Sequence, residues 1–234
     1  MATLLSLCQD VLKEIGTYEI PDTIVNNTNE TAKQIYALAN RQGLSLLREK
    51  VDWQELVKEY TFTTIASQET YALPSDFRNI INNTLWDRTN DWQMIGQVDE
   101  KKWQELKSSN LASGIRRWFK LSGNLIHIFP TPTTTGDTIA YTYMSNSWCQ
   151  SSGDVAQSKF LADSDVLNLD EQLMIMGIKW RFLKEKGLSY QDSYQEYQIE
   201  LQRVIARNTP TSDINMGDTE VILAVNVPDN NYGS

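Results

Sequence analysis

The chain is poor in the residues that usually do chemistry. Its 234 residues include one histidine, His127, and two cysteines, Cys8 and Cys149. A Ser-His or Cys-His nucleophile would have to use His127. That residue sits between Ile126 and Ile128 in a strand-like run, the setting of a structural imidazole. There is no Cys-x-x-Cys pair, no His-Glu-x-x-His helix and no Asp-x-Asp-x-Asp-Gly loop, so the common zinc and calcium frameworks are excluded. The 11 glycines are scattered and form no phosphate-cradling loop. Two cysteines so far apart fit small buried side chains in a reduced, intracellular protein better than a disulfide framework. No run approaches the roughly 18 apolar residues of a membrane span. After Cys8 the N-terminus is too polar for a signal peptide. No cofactor, metal or catalytic residue is implied.

Positive charge is also scarce. Lys and Arg total 21 against 30 Asp and Glu, a net charge of −9. Gripping a phosphate backbone depends on cations replacing counterions, so such a chain can stand beside nucleic acid without holding it. The one locally basic stretch holds Lys101, Lys102, Lys107, Arg116, Arg117 and Lys120, with Trp103 and Trp118 interleaved. Single-stranded nucleic-acid platforms have this composition. A subunit interface anchored by Arg and Trp explains the same residues beside Glu100 and Glu105. Those two carboxylates are also the candidate pair for glycoside hydrolysis, which needs two carboxyls facing across a cleft. A solvated helix face is the plainer reading of them.

Apolar residues make up 41% of the chain, enough for a sizeable core. Leu4, Leu7, Cys8, Val11, Leu12 and Ile15 recur at helical spacing between a capping Thr3 and a terminating Gly16. Thr28 or Asn29 caps a second helix running to about Lys50, with Ala32, Ile35, Tyr36, Ala39, Leu46 and Leu47 as its stripe. The period then changes to two. Strands are expected on either side of a turn near Ser67, and a hairpin around Arg88-Thr89-Asn90. Asp99 caps a short helix. Three further strands follow in "IRRWFKL", "NLIHIF" and "DTIAYTYMS". Helix returns after Asp170, apolar on two sides and therefore sandwiched. A last helix is expected from Ser189, with Tyr190, Tyr194, Tyr197, Leu201 and Val204 as its packing stripe. The expected fold class is α+β. Terminal helices of residues 1–51 and 149–208 form a bundle, an antiparallel β-rich region of 52–148 is inserted into it, and 209–234 is an extended tail.

That tail carries Asp213, Asp218, Glu220 and Asp229 but no Lys or Arg. Its one apolar run is Val221, Ile222, Leu223, Ala224 and Val225. Ordering eight residues costs about 8–16 kcal/mol at roughly 1–2 kcal/mol each. Burying the aliphatic side chains returns about 1.5–3 kcal/mol apiece. The terms nearly cancel, so the run needs a second surface that also accepts its backbone hydrogen bonds. Strand addition to a neighbour supplies one, and pairing within its own sheet or remaining unfolded are the alternatives.

The segment "YALPSDFRNIINNTLWD" reads as a corner. Pro74 ends a strand because its nitrogen cannot donate to a ladder. Asp76 is expected to accept from nearby backbone amides, Phe77 to return the chain to the core, and Arg78 to point outward. Tyr71, Leu73, Pro74, Asp76, Phe77 and Ile80, followed by Trp86 and Asp87, resemble the signature of phage head-to-tail adaptors, the tail tubular protein A-like connectors of short-tailed phages. The layout of residues 1–208 is similar as well. The resemblance implies a non-enzymatic virion protein of the neck, assembled in the host cytoplasm. It implies a homo-oligomeric, twelvefold ring between the portal protein and a tail nozzle or tail tube protein. DNA would pass through the lumen in packaging and ejection without specific binding. It implies that Val221–Val225 dock along the portal. Arg78, Arg116, Arg117 and Trp118 are candidates for contacts between subunits. Peptidoglycan hydrolysis during cell entry and nucleic-acid binding are the competing readings.

Overall fold

A computed structural model describes residues 2–17, 20–49, 51–108 and 117–208. Helix α1 spans Leu4–Ile15 and α2 spans Glu30–Arg48. Thr3 caps α1 in a reciprocal box with Ser6, and Gly16 ends it in the left-handed conformation at φ 76°. Asn29, rather than Thr28, caps α2, and the helix closes at Arg48, just short of the expected end. Asp170 caps α4, Glu171–Glu185, by accepting from the Leu173 amide. Helix α5 begins at Gln191 and runs to Asn208. The expected cap at Ser189 is therefore displaced: Tyr190 precedes the first helical residue, and its carbonyl accepts from the Tyr194 amide at 2.9 Å.

Helix α4 is the pivot. It packs on α1, α2 and α5, which explains why Leu173, Met174, Ile175, Ile178, Trp180 and Phe182 are all buried on a helix with no single apolar stripe. The approach to α2 is close enough that a Cβ on Gly177 would stand 2.2 Å from the Gln42 side-chain carbonyl carbon, and one on Gly43 would stand 2.5 Å from the Trp148 ring. Gln42 is fully buried. Its amide donates to the Tyr197 hydroxyl at 3.0 Å and accepts from Arg181 Nε at 2.7 Å. Of the tyrosine stripe on α5, Tyr197 is buried with Leu201 and Val204, Tyr190 is half-buried, and Tyr194 is exposed.

Strands β1 (Val57–Thr63), β2 (Thr70–Ala72), β3 (Phe77–Ile80), β4 (Trp86–Asp87), β5 (Trp92–Gln93), β6 (Trp118–Ser122), β7 (Leu125–Phe129) and β8 (Thr138–Ser145) fill the middle of the chain, with helix α3 (Glu100–Ser108) between β5 and β6. The strands flanking Ser67 do not pair with each other. β1 pairs with β8 over its full length, and β2 pairs with β7. The turn instead carries the chain from one sheet to the other. The first sheet runs β1-β8-β4-β5 with β3 also on β8, and the second runs β2-β7-β6. Both are antiparallel, and Ile95 bridges to Trp118 between them. The fold is α+β.

The two regions have separate cores. Tyr71, Ile80, Leu85, Phe119, Ile126, Ile128, Tyr141 and Tyr143 belong to the β-region cluster. The helices share the other with Trp53, Trp148 and Phe160. His127 does not enter the sheet core. It is half-buried on the opposite face of β7, edge-on to Trp103 of α3 at 6.1 Å. A third sheet, absent from the sequence expectation, joins β10 (Ala156–Gln157), β9 (Cys149–Gln150) and β11 (Val166–Leu167). It ties the N-terminus down: Leu4 and Leu5 donate to the Asp165 and Asp163 carbonyls, and Thr3 bridges to Val166.

Candidate functional site

The corner of residues 71–80 links the two sheets. Leu73 and Tyr71 are buried, Pro74 and Phe77 half-buried. The Phe77 amide donates to the Pro74 carbonyl at 3.0 Å and closes the turn. The Tyr71 hydroxyl accepts from the Ile65 amide at 3.0 Å and lies 3.0 Å from the Gln68 carbonyl, fixing the loop that follows β1. Phe77 stacks on Tyr143, with centroids 5.8 Å apart.

Asp76 works differently from the expectation. Its carboxylate takes side-chain donors rather than backbone amides: Lys58 Nζ at 2.8 Å, the Tyr143 hydroxyl at 2.8 Å and the Ser145 hydroxyl at 2.7 Å. The turn is too short to bring amides around, whereas β1 and β8 already run alongside. Partial burial alone would raise the Asp76 carboxyl. The hydrogen bonds from Lys58, Ser145 and Tyr143, with the charge on Lys58, outweigh it and hold the group below the usual carboxylate range. Burial first, and then Asp76 as acceptor and as charge, push the Tyr143 phenol up. The motif thus pins β3 against β1 and β8.

The basic stretch is largely neutralised within the subunit. Arg117 Nη1 lies 2.9 Å from Asp87 and Nη2 2.5 Å from Asp137, and all three side chains are mostly buried. Asp87 also accepts from the amides of Thr89 and Asn90, which closes the β4–β5 turn. Lys120 pairs with Glu100, Lys107 with Glu69 and Lys102 with Glu105. Trp103 is buried beneath α3, near Phe129 and His127. No open basic platform is left around it among these residues. Glu100 and Glu105 are exposed and each faces a lysine, not another carboxyl across a cleft. Among the described residues no group of three or more His, Cys, Asp or Glu could hold a metal ion, and no helix is long and apolar enough to cross a membrane.

Of the residues expected between subunits, Arg78 is half-buried and has no ion pair among the described residues, and Trp118 is half-buried beside the Ile95 bridge. The charge of Arg117 is already engaged by its two aspartates. Arg116 and Val221–Val225 lie outside the described residues. Sequence reasoning missed the Arg117 clamp. Asp87 stood at the end of the signature as a hint, but Asp137, in the polar loop before β8, gave no signal.

The corner, the bundle and the insertion fall within one stretch that known families can be compared with. No curated protein matches the chain. The family model described as SU10 adaptor protein matches residues 2–217, which takes in the corner, the bundle and the insertion. This agrees with the adaptor signature read from Tyr71 to Asp87, and the chain belongs to the SU10 adaptor protein family.

Proposed function

We propose that the chain is a structural subunit of the phage neck, a head-to-tail adaptor that forms a twelvefold ring between the portal and the tail and extends the DNA channel. The family match carries this reading. The site geometry supports it, because the side-chain chemistry of the corner is scaffolding: the Tyr71 hydroxyl holds the loop after β1, and the Asp76 carboxylate ties the turn to β1 and β8. The role is non-enzymatic. Val221–Val225 dock on the portal by strand addition. Arg78, Arg116 and Trp118 contribute to contacts between subunits. The lumen is lined by acidic or neutral side chains, so the genome slides past without binding. Assembly takes place in the host cytoplasm, and a tail nozzle or tail tube protein docks on the far side.

The test is cryo-electron microscopy of the chain mixed with its portal. A twelvefold ring seated on the portal is expected, with Thr209–Ser234 protected from protease only in the complex. A chain that stays monomeric beside the portal, or a ring with a continuous Lys/Arg lumen, overturns the corresponding part.

A further inference from the structure

The first sheet has two open edges. It runs β1-β8-β4-β5, so β1 and β5 lie on opposite flanks, three strand spacings or about 14 Å apart. The Thr64 amide donates to the Asp137 carbonyl, and in an antiparallel ladder the bonded pairs recur at every second residue. Lys58, Tyr60 and Phe62 therefore turn their backbone groups toward β8. Glu59, Thr61 and Thr63 turn theirs outward, where no bond meets them among the described residues. On β5, the Met94 amide donates to the Leu85 carbonyl. By the same rule Gln93, opposite Trp86, turns its N–H and C=O outward. A seven-residue edge in this state is a template for another strand.

The two edges match in side chains. Phe62 stands opposite Ile139, Ile139 opposite Asp87 and Asp87 opposite Trp92, so one row across a single sheet face ends in an aromatic ring on each edge. Both rings are incompletely covered: Phe62 is half-buried and Trp92 is 41% exposed. The adjacent row runs Thr61, Ala140, Trp86, Gln93. It ends on two residues with outward backbone groups. Direction matches as well. Each strand in this order is antiparallel to the next, so β1 and β5 run opposite ways and, joined, continue the alternation. Trp118, bridged to the Ile95 that follows β5, is half-buried on the same flank.

We propose that β5 of one subunit adds to β1 of a second copy, so that this sheet continues from copy to copy. Trp92 packs against Phe62 of the next subunit, and Gln93 exchanges N–H···O=C bonds with Thr61. The inference rests on the adaptor-ring reading. A ring of identical subunits needs two different, complementary surfaces, because a self-complementary patch stops at a dimer. Pairing β1 with β1 is such a patch. Pairing β5 with β1 is head-to-tail, and the two edges already stand on opposite flanks of one rigid sheet.

The experiment mixes isotopically heavy and light full-length chains carrying a photoreactive benzophenone amino acid at position 92, assembled with the portal. Illumination is expected to give heavy–light cross-links between position 92 and peptides of 57–63. Thr61→Pro removes a donor that its own sheet does not use, a change that edge strands tolerate, and is expected to lower their yield about tenfold. Gln93→Pro removes the facing donor and is expected to act alike. The melting temperature of the isolated chain shows that each variant is folded. An assembled ring whose cross-links fall on other peptides, are confined to one isotope or do not form overturns the proposal. So does a yield that the folded variants leave unchanged. If native mass spectrometry of the same sample shows no ring, the adaptor-ring reading itself falls, and the two failures are distinguished.

Discussion

The helical region and the β region are held together by different means. In the bundle the decisive contacts are of volume. Gly43 leaves room for the Trp148 ring and Gly177 for Gln42, and α4 is buried against three other helices. In the β region they are of pairing. Tyr60, Phe62, Tyr71, Phe77, Tyr141 and Tyr143 touch ring to ring. At the rims, Asp76 with Lys58 and Arg117 with two aspartates fix which strand lies where. Short strands bury little on their own, and two of them have only two residues. A charge clamp adds a directional constraint to the register that burial of one sheet face already specifies. Added volume should therefore damage the bundle, and lost charge the insertion.

Arg117→Met tests the second half most severely. It leaves Asp87 and Asp137 facing each other with no cation between them, and chemical denaturation should show a loss of about 3–5 kcal/mol. A loss under 1 kcal/mol would mean that the clamp is ornamental. Gly43→Ala tests the first half. A Cβ driven against a rigid, fully buried indole should cost about 1–3 kcal/mol, despite the better helix propensity of alanine, and a stabilised variant would show that α2 can step back. Tyr71→Phe keeps the ring and removes only the hydroxyl that answers the Ile65 amide. Its expected cost is about 1–3 kcal/mol, read from the same denaturation curves. An acid titration sharpens the comparison further. The Asp76 carboxyl is held below its ordinary value in the folded state, so its contribution is present above about pH 4, the usual unfolded value, and is lost as pH falls through the folded one. The stability gap between the wild type and Asp76→Asn should narrow over that range. A gap unchanged down to pH 2 would remove Asp76 from the account.

The helices were legible because their signals are local. Thr3, Gly16, Asn29, Asp99 and Asp170 each mark an end within one turn of the groups they satisfy. Strand existence was legible for the same reason, as alternation in "VKEYTFT" and "TIAYTYMS". Strand partnership was not. β1 and β8 lie some eighty residues apart, and nothing in either run distinguishes a neighbour across Ser67 from one across the sheet. The third sheet was invisible because two-residue strands have no period. Asp76 takes other donors than those expected, since its partners come from strands whose pairing had not been read.

Among the described residues the core of the β region draws on residues between Tyr60 and Tyr143, whereas the helical core reaches from Ala2 to Val204 and takes in Val57 and Met144 from the ends of β1 and β8. During synthesis the insertion can therefore mature as soon as β8 leaves the ribosome. Helix α1, made first, must wait for the segment around Asp163–Val166 and for α4 before it has anything to lie on. Nascent chains stalled with about 160 residues exposed should resist protease across 57–108 and 117–145 and be cut within the first 50.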